Sequence, residues 1–107
     1  MSCECDASEF RATGQPTGEN RLLEVTGACS CPEPGYSLRL EEGTPPFLPD
    51  SETVVLYLVE NAPAIGLPAV TETLVQPIEM DIAPEARNVT IRFVDGSEFT
   101  IPIDDPA

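Results

Sequence analysis

A chain of 107 residues has room for one domain and one modest hydrophobic core. Its 19 acidic residues face only five Arg, with no Lys and no His, and the net charge of −14 repels nucleic-acid phosphates and anionic membranes, arguing against both as partners. Without His or Lys there is no serine–histidine or cysteine–histidine nucleophile pair, no histidine-ligated metal, no Schiff base and no phosphate-loop lysine.

The 41% hydrophobic content is that of a folded chain, and no apolar run approaches the ~20 residues of a membrane-spanning helix. The opening MSCECDASEF has neither a basic start nor an apolar segment of signal-peptide type, so the expected location is the cytoplasm, where thiols are usually reduced. The missing Lys and the excess of carboxylates suit a salt-rich cytosol better than a mere codon bias. The triplet Asn88-Val89-Thr90 matches a glycosylation acceptor, which has no meaning in a protein that is not exported.

Twelve Pro and seven Gly punctuate the chain, and short runs rich in Val, Ile, Leu, Thr, Phe and Tyr lie between them, the pattern of an all-β protein. In chain order, Glu9 to Thr13 is a weak strand expected at an edge. Asn20 to Cys29 follows, with Leu23, Val25 and Cys29 on one face. Tyr36 to Leu40 alternates, turning Tyr36, Leu38 and Leu40 the same way. Thr53 to Glu60 is apolar on both faces and reads as a doubly buried central strand. Ala69 to Ile82 is long, with Val70, Leu74, Ile78, Met80 and Ile82 in phase, and Pro77 predicts a bulge or change of sheet near Gln76.

Val89 to Phe93 and Phe99 to Ile103 form a hairpin. A three-residue loop, Asp95-Gly96-Ser97, pairs Phe93 with Phe99 and Ile91 with Ile101, with Gly96 or Ser97 left-handed. About seven such strands predict a two-sheet antiparallel sandwich of immunoglobulin-like type, with a small open barrel as the second choice. The expected organisation is a cysteine-bearing tail over residues 1–8 and a single β-sandwich domain over 9–107.

All four cysteines lie in two Cys-x-Cys pairs, Cys3 with Cys5 and Cys29 with Cys31. Residues i and i+2 of a strand share a face, so each pair can direct two sulfurs the same way. Four thiolates from neighbouring segments could hold a structural zinc, the first expectation for Cys3, Cys5, Cys29 and Cys31. The competing reading is two disulfides, for instance Cys3–Cys31 with Cys5–Cys29 across an antiparallel pairing, and the third is free thiols. An iron–sulfur cluster is disfavoured by Glu4, Asp6 and Glu33, which add negative charge beside an already anionic site.

The carboxylate pairs Glu41-Glu42, Asp104-Asp105 and Glu79 with Asp81 are candidate acid–base groups, though solvated surface is the commoner role of such pairs. Arg39 could meet a ligand carboxylate or bridge a neighbouring Glu. Asp50, Glu52 and Asp95 lie in expected loops without the ligand spacing of a calcium loop.

From Leu22 onward the order of features resembles the PrcB-type C-terminal domain, a small all-β family linked to protease complexes. The residues that carry the likeness are Thr26-Gly27 at a strand end, Pro34-Gly35-Tyr36 opening a strand with Leu38 and Leu40, then Leu56 and Leu58 followed by Pro63. The stretch Ala69-Val70-Thr71-Glu72-Thr73-Leu74-Val75 completes it. The resemblance implies a non-catalytic domain that stabilises or tethers a partner protein. The functional expectation is therefore a non-enzymatic protein-binding or scaffolding module docking its partner by strand addition, with the cysteines as a structural metal site. The alternatives are metal or thiol handling, a disulfide-stapled domain, and an enzyme built on a carboxylate pair.

Overall fold

Alternation of apolar and polar residues at period two gives every ordered element of this chain an inner and an outer face. The computed structural model describes residues 3–18, 20–42, 52–64 and 69–104. Its strands are β1 (Glu4–Thr17), β2 (Asn20–Cys31), β3 (Ser37–Glu42), β4 (Thr53–Asn61), β5 (Thr71–Ile82), β6 (Asn88–Arg92) and β7 (Glu98–Asp104). They follow one another around a closed barrel in the order β1-β2-β5-β3-β4-β6-β7.

This corrects the expected two-sheet immunoglobulin-like sandwich. The contact that turns the sheet into a ring is a short parallel pairing of β1 with β7, Ala12 opposite Ile103 and Thr13 opposite Asp104. It was hidden because the Glu9 to Thr13 segment looks like a short edge strand, whereas β1 has 14 residues and pairs on both sides. Residues 4–8, set apart as a tail on sequence grounds, are the first part of that strand. A ring has one interior, so the inward side chains make a single core: Leu23, Val25, Leu38, Leu40, Leu56, Leu58, Val75, Val89, Ile91 and Ile101 are all buried.

β4 lies between β3 and β6, with Leu56 and Leu58 buried while Val55, Tyr57 and Val59 on its outer face are half-buried. It is one stave of the barrel and not a strand covered on both sides. β5 contains the irregularity that Pro77 foretold. Against β2 the pairing steps from Val25–Ile78 to Gly27–Val75, so Gln76 and Pro77 together oppose Thr26. The extra residue reverses the phase of the strand. Val75 turns inward before the bulge and Ile82 after it, and Leu74, expected in the core with Ile78, is 79% exposed. Val70 is exposed for the same reason.

The β6–β7 hairpin keeps its predicted faces but slips by one pleat. Ile91 pairs with Phe99 and Val89 with Ile101. The three loop residues are Val94, Asp95 and Gly96, with the Phe93 amide donating to the Ser97 carbonyl (2.9 Å) and the Gly96 amide to the Phe93 carbonyl (3.0 Å). A slip of two residues leaves every side chain on its own face, so apolar alternation cannot tell the two registers apart. Gly96 has φ of 90°, the left-handed position foreseen for it or Ser97.

One glycine is required by packing. The Phe10 ring lies over Gly27, where a Cβ would run into its Cδ2 and Cε2 atoms, and it meets Phe99 edge-on at 5.2 Å between centroids. Gly27→Ala should therefore destabilise the protein by about 1–3 kcal/mol, the usual cost of overpacking, measured by urea denaturation. A neutral result would mean that Phe10 has room to move.

Candidate functional site

One end of the barrel gathers the start of β1, the end of β2, the starts of β3 and β5, and the β6–β7 turn. Antiparallel pairing there sets Glu4 opposite Ser30 and Cys5 opposite Cys29. With period-two alternation, Cys3 then faces Cys31, and all four sulfurs lie on one side of the ladder. They are joined as two disulfides, Cys3–Cys31 and Cys5–Cys29, with Cα–Cα separations of 4.1 and 4.5 Å. Cys29 and Cys31 belong to the core, and Cys3 and Cys5 are half-buried against it.

The zinc expectation is thereby corrected. A metal binds thiolates, and each of these sulfurs is already bonded to another sulfur. Among the described residues no group of three or more Cys, Asp or Glu is arranged to hold a metal. The structure brings Cys3, Cys5, Cys29 and Cys31 together as the sequence suggested, in the pairing named as the competing reading. Cys-x-Cys spacing could not decide between the two, because thiolates brought together for a metal and thiols facing one another across a ladder need the same geometry.

Immediately after Cys5 the ladder breaks. Pairing resumes at Phe10 opposite Gly27, so Asp6, Ala7, Ser8 and Glu9 all bulge out against Ala28. Asp6 holds this bulge in a tight turn, its Oδ1 accepting from the Ser8 amide and the Ser8 hydroxyl, both at 3.0 Å. Asp95 does the same in the β6–β7 turn, accepting from the Ser97 amide (2.9 Å) and hydroxyl (2.6 Å). Hydrogen bonding to the charged form holds both carboxyls below the ordinary aspartate range, mainly through the Ser8 amide for Asp6 and the Ser97 hydroxyl for Asp95.

Three clefts ring this end. The largest, about 590 Å³, lies between the cystines, Tyr36, Glu60, Phe93 and Asp95. Glu60 Oε1 accepts from the Cys3 amide at 2.7 Å and so pins the chain's first described residue to the far strand β4. Desolvation, then the neighbouring charges of Glu33 and Glu60, push the Tyr36 phenol upward. A second cleft of about 520 Å³ exposes Cys5 and Cys29 among Glu4, Asp6, Glu9 and Glu72. The third, also about 520 Å³, is apolar and runs between β3 and β5 past Leu38, Leu74, Val75 and Pro77.

The carboxylate pairs are not drawn into any of these clefts. Glu41, Glu42, Glu79, Asp81 and Asp104 are exposed on the strands, while Asp50 and Asp105 lie outside the described residues. Arg39 takes the bland role, meeting Glu41 at 3.0 Å on an exposed face, a pair worth less than ~1 kcal/mol. Glu52 is exposed, and its carbonyl receives the amides of Arg87 and Asn88. Sequence reasoning missed Glu60 and the outward turn of Val70 and Leu74. Only the bulge at Pro77 could have signalled the latter.

No family model, curated protein or solved structure matches the chain. Among the described residues, no helix is long and apolar enough to cross a membrane.

The two disulfides close loops of similar sequence separation, 28 and 24 residues. Whichever forms first restricts the unfolded chain by about 3–4 kcal/mol. The second then closes only a small ring and adds far less. Replacing all four cysteines by Ala should cost about 4–5 kcal/mol, and replacing either bonded pair alone about 1 kcal/mol. Urea denaturation checks this. Two pairwise losses that sum to the fourfold loss would show independent crosslinks.

Depressed carboxyls stabilise the fold above the ordinary aspartate value of 3.8, and that contribution is lost as pH falls through the lower folded-state value. An NMR titration should place both Asp6 and Asp95 midpoints below 3.8, and Ser97→Ala should raise Asp95 while leaving Asp6 in place. An unmoved Asp95 would contradict the hydroxyl as its main cause.

Proposed function

We propose that this protein is a non-catalytic, disulfide-stapled binding barrel that works in an oxidising compartment and docks an extended segment of a positively charged partner protein along β5. The observation that carries the reading is a gap in the ring. β5 pairs with β2 from end to end, yet among the described residues β3 meets it only at Leu38–Val75 and Arg39–Gln76. Thr71 to Leu74 therefore have no ladder partner on the β3 side, at the mouth of the apolar cleft. An unpaired strand edge is the natural template for strand addition.

Two further features support it. Leu74 in this segment, 79% exposed, and Val70 just before it, 80% exposed, offer two apolar anchors. Beside them Glu72 joins Glu4, Asp6 and Glu9 around the acidic cleft, so a segment alternating basic and apolar residues matches in charge as well as in register. The net charge of −14 extends that complementarity and opposes pairing with a second copy.

The non-catalytic assignment rests on the lack of His and Lys in the sequence and on the direction of the two shifted carboxyls, Asp6 and Asp95. A general acid needs its pKa raised, and theirs are lowered. The oxidising compartment is inferred from the disulfides, which form and persist where thiols are not kept reduced. It replaces the cytoplasmic expectation, which rested on the character of the opening residues.

A short synthetic peptide alternating Val with Arg, titrated into the isotopically labelled protein, should shift the amide signals of Thr71 to Leu74. Its Val/Glu counterpart should leave them in place. Leu74→Asp should weaken the Val/Arg peptide at least about tenfold, equivalent to ~1.4 kcal/mol. Equal binding of the two peptides, or shifts confined to other strands, would refute the assignment.

A further inference from the structure

The two disulfides tie down a single short arm of chain, residues 3–5, and nothing else. The four-residue bulge separates that arm from the rest of β1, and the barrel is closed beyond the bulge, at Ala12–Ile103 and Thr13–Asp104. The ring is thus complete without the arm. Apart from the sulfurs, the arm is held by its ladder to Ser30 and Cys29 and by the Cys3 amide on Glu60. These contacts are few, and they sit at a strand end.

We propose that the cystine pair is a redox latch: a dithiol reductant opens Cys5–Cys29 and then Cys3–Cys31, releasing the arm while the barrel from Phe10 onward stays folded. The order follows from access. Cys5 lines both the large cleft and the acidic cleft, whereas Cys31 is fully buried and Cys3 is reached only from the large one. A reductant thiolate attacks Cys5 Sγ, the Cys5–Cys29 bond breaks, and Cys29 leaves as a thiolate that takes up a proton. The reductant's second thiol then attacks its own sulfur in the mixed disulfide, freeing Cys5. In total two electrons and two protons pass to the cystine, and the dithiol becomes a disulfide. The second cystine follows by the same steps.

Release uncovers the β2 edge at Cys29 and Ser30, because the arm is what pairs with it there, while β5 continues to hold the opposite edge. The latch thus turns a covered strand into a free one. The acids Glu4, Asp6, Glu9 and Glu72 around the point of attack select the reductant by charge, repelling anionic thiols and drawing in cationic ones. The inference is independent of partner docking on β5, because it concerns a different strand and a different chemistry.

The test is native-state hydrogen exchange of the whole chain with and without dithiothreitol, with acid-quenched samples alkylated to follow each cysteine pair. Cys5 and Cys29 should become alkylatable before Cys3 and Cys31. Exchange at the amides that the Glu4–Ser30 and Cys5–Cys29 pairing protects should accelerate at least about a hundredfold, while the β2 amides facing β5 and those of Leu56, Val89 and Ile91 keep their protection. The variant with all four cysteines changed to Ala should show the reduced pattern without any reductant. Corrected for thiolate concentration and for rates on an uncharged disulfide, cysteamine should outpace 2-mercaptoethanesulfonate by about tenfold or more at low salt, and high salt should narrow the gap. Loss of protection throughout the barrel, an unchanged exchange pattern, the reverse order of opening, or equal rates for the two thiols would each overturn the latch.

Discussion

The structure depends on the register of β1 against β2: Phe10 opposite Gly27 and Ala12 opposite Val25 beyond the bulge, with Cys5 opposite Cys29 before it. That alignment brings four sulfurs into two bonds on the inner side of the ladder, at the barrel end where a small core would otherwise be open to water. It also fixes where the Asp6–Glu9 bulge must fall. Beyond the bulge the remainder of β1, through Phe10 and Ala12, has its own ladder on β2 and meets β7. Moving the register by one residue would turn Phe10 and Ala12 outward, separate the cysteines, and remove the contact that closes the ring.

A domain of this size buries a limited apolar area, and its net stability is expected to lie in the ~5–15 kcal/mol range. Crosslinks that restrict the unfolded chain are therefore a substantial share of the total without being the whole of it. The aromatic cluster at the same end adds to them: Phe99 touches Phe10 on one side and Phe93 on the other, with centroids 5.2 and 5.5 Å apart. At the opposite end no disulfide is needed. The Arg21 guanidinium donates to the Ala86 carbonyl at 2.6 Å and holds the β5–β6 connection, with Ala86 buried beneath it. Covalent bonds and a charge-assisted hydrogen bond thus do similar work at the two ends.

Much of this was legible in the residues. The period-two runs located the strands, Pro77 announced the bulge, and the paired Cys-x-Cys motifs announced that the chain start and the end of β2 lie together. What escaped were features in which local pattern is degenerate. Leu74 and Ile78 look alike in sequence, and only the extra residue at Gln76-Pro77 puts them on opposite faces. The hairpin registers differ by two residues and bury the same set. The difference between sandwich and barrel rests on two paired positions between β1 and β7, residues almost a chain length apart that carry no mark of one another. The β5 edge was legible least of all, since it arises from what β3 does not cover.

The most direct test is disulfide mapping of the unreduced protein by proteolysis, with cleavage after Glu4 to part Cys3 from Cys5, followed by electron-transfer fragmentation. The account predicts Cys3 linked to Cys31 and Cys5 linked to Cys29. Crossed links, a bond between Cys3 and Cys5, or four free thiols would contradict the register from which the rest follows.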